Sequence, residues 1–196
     1  MLRKSESSSP AHPSSPPASR RSSGRGDSST RQLTRSRAKV LPARASDVLV
    51  LLSDGLRAQD LAELAALSRD PTQALWSALA ASGPLAFTIH VDGRPAGIFG
   101  VTPTDDEDVG AVWMLGTDRL PLIARDLLTE APRWLSFLLA IYPTLTNFVD
   151  ERNEVAMRWL DALGVEWPYV DDFATGDTIF RRFYVRSPDA NGHRNR

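Results

Sequence analysis

The thirteen residues from Asn153 to Val165, Asn-Glu-Val-Ala-Met-Arg-Trp-Leu-Asp-Ala-Leu-Gly-Val, constrain this chain more than any other stretch, because they form a helix with both ends marked. Val155, Ala156, Trp159, Leu160 and Leu163 recur at helical spacing and make one apolar stripe. Asp150 is placed to cap the start, and Gly164 tolerates the left-handed conformation that ends a helix. Strand-like runs stand on both sides: Leu145 to Val149 before it, Glu166 to Val170 and Thr178 to Val185 after it. A capped helix between strands excludes all-helical and all-β architectures and points to a mixed α/β sheet with helices on its faces.

The upstream pattern agrees. Asp47 to Leu52 reads as a first strand, and Leu56 to Leu67 carries Leu61, Leu64, Ala65 and Leu67 at helical spacing. Asp70-Pro71 opens a second helix, which Gly83-Pro84 stops. Leu85 to Val91 alternates apolar and polar residues, and Asp92-Gly93 is a hairpin signal leading into Ala96 to Val101. The acidic loop Thr102 to Asp108 separates this hairpin from a further strand, Val109 to Leu115. After Gly116-Thr117-Asp118 a helical pattern begins with Pro121 in its first turn, and Pro132 is expected to break or kink it before Trp134, Leu135, Leu138 and Leu139. The expected order is β, α, α, β, β, β, α, β, α, β, β.

Charge divides the chain. Residues 1–45 hold ten Lys or Arg and two acids, a formal +8 that leaves −9 on the remainder of a chain whose total is −1. This arm is rich in Ser, Pro and Arg and poor in large aliphatics, so burial cannot offset the entropy of ordering it. A disordered basic arm over 1–45, one domain over 46–186 and a disordered tail over 187–196 follow. The chain has no Cys and three His, His12, His90 and His193, which excludes thiolate chemistry and argues against a zinc site. No apolar run reaches the length of a membrane span.

Asn153, Ala156, Trp159, Leu160, Gly164 and Val165 fall where an Asn-led helix flanks the cofactor cleft in GCN5-related N-acetyltransferases, and the chain resembles that family from Asp47 to Val185. The resemblance implies an acyl-CoA N-acyltransferase-like fold and acetyl-CoA as the cofactor. It places Met114 and Gly116 on the strand edge that meets the pantetheine, Thr117 and Arg119 at the pyrophosphate, and Asn147 and Asn153 beside the cleft. Two features depart from the family. The turn Gly116-Thr117-Asp118-Arg119-Leu120-Pro121 has one glycine where the family has a glycine-rich anion cradle, and Asp118 and Pro121 oppose phosphate binding there. Leu160 stands where many members carry a Tyr acid, which leaves Tyr142, Tyr169 and Tyr184 as the phenols, with Glu107, Asp108 and His90 as candidate bases.

These departures, with Val112-Trp-Met-Leu-Gly-Thr117 and Tyr142-Pro143-Thr-Leu-Thr-Asn147, are similar to small phage-encoded proteins related to the internal virion protein A of podoviruses. That resemblance implies a virion-assembly or host-takeover protein, in the virion or the host cytoplasm, acting through contacts with phage virion or host proteins. The enzyme alternative is acetyl transfer to an amine. A third reading is a capsid component that touches DNA through the Arg-rich arm, independently of sequence, without aromatic residues for base stacking.

Overall fold

The computed structural model describes residues 38–188, and the expected disordered stretches before 38 and after 188 lie outside the described residues. The described strands form one seven-stranded sheet in the order β1-β2-β3-β4-β5-β7-β6. In sequence these are Ala38–Pro42 (β1), Ala86–Val91 (β2), Arg94–Pro103 (β3), Val109–Gly116 (β4), Thr144–Asp150 (β5), Phe173–Thr175 (β6) and Thr178–Arg186 (β7). Every neighbouring pair is antiparallel except β4 and β5, which run parallel.

Among the described residues five α-helices pack on the two faces: Ala45–Asp54 (α1), Ala58–Ala66 (α2), Pro71–Ser82 (α3), Ala124–Leu139 (α4) and Glu154–Ala162 (α5). On one face Val48, Leu51, Leu56, Leu64 and Leu75 from α1 to α3 bury against Ile98 of β3. On the other, Leu138 of α4 packs with Phe87, Val101 and Leu145, and Leu160 of α5 with Val149 and Phe183. Val112 of β4 touches both of these last two clusters, so it joins the halves of the sheet. Asp92 and Gly93 both have positive φ, 52° and 78°, the conformation of the tight two-residue turn expected between β2 and β3.

Four expectations are corrected. Asp47 to Leu52 is not a strand but the body of α1, where Val48 and Leu51 are fully buried and Leu49 is exposed. Five consecutive apolar residues fit either element, and the choice is made by Asp47, whose carboxylate accepts from Arg44 N (3.1 Å) and from the Thr88 hydroxyl (2.8 Å). The strand that opens the sheet is β1, inside the segment assigned to the arm, so the domain starts earlier than residue 46. Glu166 to Val170 supplies only one bridge, Glu166 to Tyr184, and the edge strand lies later, at β6. Pro132 does not break α4, which runs through it with Pro132 on the exposed side, where its missing N–H removes no buried hydrogen bond. Among the described residues no helix is long and apolar enough to cross a membrane.

The parallel seam positions the site. β3 and β4 pair at seven positions, from Gly97–Gly116 to Pro103–Gly110. β4 and β5 pair at only three: Val109–Thr144, Gly110–Leu145 and Ala111–Thr146. Beyond Ala111 and Thr146 the two strands diverge, and a wedge opens toward the C-terminal ends of both.

Candidate functional site

Strand parity fixes which backbone groups line the wedge. Thr117 N donates to Ala96 O (2.8 Å), which extends the β3 ladder and assigns Leu115, Trp113 and Ala111 to β3. Gly116, Met114 and Val112 therefore turn their backbone groups toward β5. On β5, Glu151 N donates to Ile179 O (3.0 Å) and Thr144 N to Asp108 O (3.0 Å), so Phe148 and Asp150 face β4.

The chain's own side chains fill this edge. A continued ladder would join Phe148 N–H to Val112 C=O; in its place the Asn147 carboxamide donates from Nδ2 to Val112 O (2.6 Å) and accepts Phe148 N at Oδ1 (2.8 Å). One amide side chain thus replaces the first missing rung. At the open end α2 crosses between the strands. Its Asp60 carboxylate accepts Gly116 N (2.8 Å), and Arg57 N donates to Gly116 O (2.8 Å). Its Glu63 accepts from Asn153 Nδ2 (2.8 Å), and the nearby Asp150 backbone amide favours its charged form. Ala66 O, at the end of α2, accepts from the Thr175 hydroxyl on β6 (3.2 Å). Met114 is the position whose inward-facing N–H and C=O have no such partner among the described residues.

Burial sets the electrostatics here. It pushes the Asp60 carboxyl above the usual carboxylate range, and the Arg57 guanidinium at 2.7 and 3.0 Å and the Gly116 N–H oppose it. Glu63 is raised for the same reason, with Asn153 opposing and the charges of Asp60 and Asp150 adding. Asp150 is lowered, because Arg152 donates to both of its oxygens. Asp150 is therefore occupied by Arg152 and does not cap α5; Asn153 does, accepting Ala156 N at 3.1 Å.

The turn after β4 is equally self-satisfied. Thr117 is buried, and its hydroxyl donates to Ala96 O (3.1 Å) and accepts Arg119 N (3.3 Å). Leu120 N donates to Thr117 O and Leu122 N to Arg119 O, both at 3.1 Å, and Pro121 has no N–H. The donors that would cradle a pyrophosphate close the turn instead, so these residues do not fit that end of the coenzyme. Arg119 lines an open cleft of about 620 Å³ with Asp54, Arg94, Thr117, Asp118 and Leu122, where Arg94 is held by Asp54.

Of the six residues expected at the site, Met114, Gly116, Asn147 and Asn153 border the wedge, Thr117 sits inside the turn and Arg119 on its outer side. Glu107 and Asp108 lie at the opposite end of β4, roughly 25 Å from Gly116 for an eight-residue strand. Tyr142 lies at that same end, against Gly110. The Tyr184 hydroxyl donates to Asp171 (3.1 Å), and Tyr169 is 65% exposed beneath Arg181. His90 Nδ1 is buried with no partner among the described residues. Leu160 is a core contact. Asp60 and Glu63 were missed: Leu61, read as part of the buried stripe, is 40% exposed, and α2 turns Asp60 and Leu64 inward. Among the described residues no group of three or more His, Asp or Glu is placed to hold a metal ion.

No protein-family model and no curated protein matches the sequence. Solved structures do match in fold. Ard1 from Thermoplasma volcanium superposes with a TM-score of 0.57 at 10% identity, over 76% of this chain and 97% of that one. A GCN5-related N-acetyltransferase from Kribbella flavida gives 0.53 at 17%, over 76% and 98%. The ribosomal-protein-S18-alanine N-acetyltransferase from Escherichia coli gives 0.51 at 14%, over 76% and 94%. The chain has the GCN5-related N-acetyltransferase-like fold, with the wedge between β4 and β5 at its centre.

Proposed function

We propose that this protein uses an acetyltransferase-like scaffold for protein contacts, its coenzyme cleft filled by its own side chains. The observation that carries this reading is the occupancy of the strand edges: Asn147 stands in the first open rung, Asp60 takes the N–H of Gly116, and Glu63 holds Asn153 beside the end of β5. The closed turn from Thr117 to Leu122 supports it at the phosphate end. The motif similarity to phage internal-virion proteins makes virion or host proteins the partners and virion assembly the setting.

A second reading, acetyl transfer from acetyl-CoA to an amine, is favoured by one feature, the inward-facing N–H and C=O of Met114. Calorimetric titration of the full chain with acetyl-CoA and with CoA separates the two. The filled-cleft reading expects no binding tighter than about millimolar, because a ligand must displace bonds the chain already makes. Micromolar binding would overturn it.

A further inference from the structure

Helix α2 makes no backbone ladder with the sheet, yet its polar side chains and backbone reach three strands. Arg57 and Asp60 hold the end of β4, Glu63 holds Asn153 at the cap of α5 and lies near the Asp150 amide at the end of β5, and Ala66 holds Thr175 of β6. Its apolar anchoring is slight: Asp60 and Leu64 are the residues it buries. A nine-residue helix with one buried leucine, flanked by the Gly55 break and the turn at Ser68, is attached mainly by these ties. Segments with few buried apolar contacts open at lower free energy than the core around them.

We propose that α2 is a latch, a unit that closes the open end of the wedge through Asp60 and Glu63 and detaches as one piece, exposing the edge groups of Gly116, Met114 and Asp150 to water. The charged groups that face the two acids are Arg57 on α2 itself, Asp118 from the turn after β4, Asp150 at the end of β5 and, paired with Asp150, Arg152 before α5. Burial raises both carboxyls in the latched form, and release returns them to water. The latched form therefore binds protons more tightly than the released form. Between the ordinary carboxylate range and the raised one, increasing pH favours release, and acidification favours closure.

The inference stands apart from coenzyme binding, and its test uses no coenzyme. Native-state hydrogen exchange on the full chain, read by NMR from about pH 5 to about pH 8 and corrected for intrinsic rates, follows the amides of Gly116 and Asp150 against Ile98 in the core. A latch predicts that protection at Gly116 and Asp150 falls together as pH rises, by up to roughly tenfold per pH unit for each carboxyl that titrates, while Ile98 stays protected. Glu63→Gln keeps the shape and removes the charge. It is expected to flatten the pH dependence at both amides, including Gly116, which Glu63 does not touch, and Asp60→Asn is expected to do the same at Asp150. Three results would each overturn the proposal: amides that respond only to their own acceptor, protection that ignores pH, or loss of protection at Ile98 in step with the other two.

Discussion

The two ends of the β4–β5 seam are built by different means. At Val109 to Ala111 the strands are joined rung by rung through their backbones, over a floor of Leu145, Val101 and Leu138 that water barely reaches. From Val112 to Gly116 the separation is spanned by side chains, one carboxamide and two carboxylates. Backbone rungs fix a strand spacing whatever the sequence, whereas side-chain bridges hold only while particular residues are present. The closed end therefore supplies stability, and the open end supplies a space whose contents this chain has specified.

The comparison is sharpened most by Leu145→Ala. Leu145 is fully buried at the closed end, so a loss of about 2–5 kcal/mol is expected, read from the shift in a denaturant midpoint. A smaller effect should separate two glycines of β4. A Cβ at Gly110 would sit 2.4 Å from Val101 Cγ2 and 2.8 Å from the Tyr142 ring, both well packed. At Gly116 it would meet Leu120 Cδ1 at 2.2 Å, the far end of a flexible side chain, and Ala96 O at 3.0 Å. Gly110→Ala should cost about 2 kcal/mol and Gly116→Ala about 1 kcal/mol in paired thermal melts, and the reverse order would break the contrast between the ends. An effect as small as that of Gly116→Ala belongs to Asn147→Ala. It leaves Val112 C=O and Phe148 N–H to water and should cost about 1 kcal/mol, with faster exchange at the Phe148 amide and none at Ile98.

Much of the fold was legible wherever a local signal had one interpretation. Asp70-Pro71 before α3, Asp92-Gly93 between β2 and β3, and the stripe of α5 each gave the element found there. Legibility failed where local pattern was ambiguous. The run Val48 to Leu52 suits a strand or a buried helix, and partners elsewhere decide between them: Ala38–Pro42 occupies the sheet edge, and the Thr88 hydroxyl donates to Asp47 at the start of α1. Residues 38–42 looked like arm because five residues beside a Ser/Arg-rich stretch carry no period of their own until β2 supplies the partner. At the site, Met114, Asn147 and Asn153 were expected only through the family resemblance, whereas Asp60 and Glu63 were invisible: an acid on an amphipathic helix reads as solvated until a partner is known to lie beneath it.

The sequence by itself determined the mixed α/β layering, the β2–β3 hairpin, the helices with marked ends and a turn after β4 with a single glycine, because periodicity, capping residues and proline act on neighbours along the chain. The tertiary structure decided how the wedge is filled. Asp60 and Gly116 are 56 residues apart and Glu63 and Asn153 are 90 apart, and no local rule couples such positions until the sheet and α2 bring a buried carboxylate to a backbone N–H and a carboxamide.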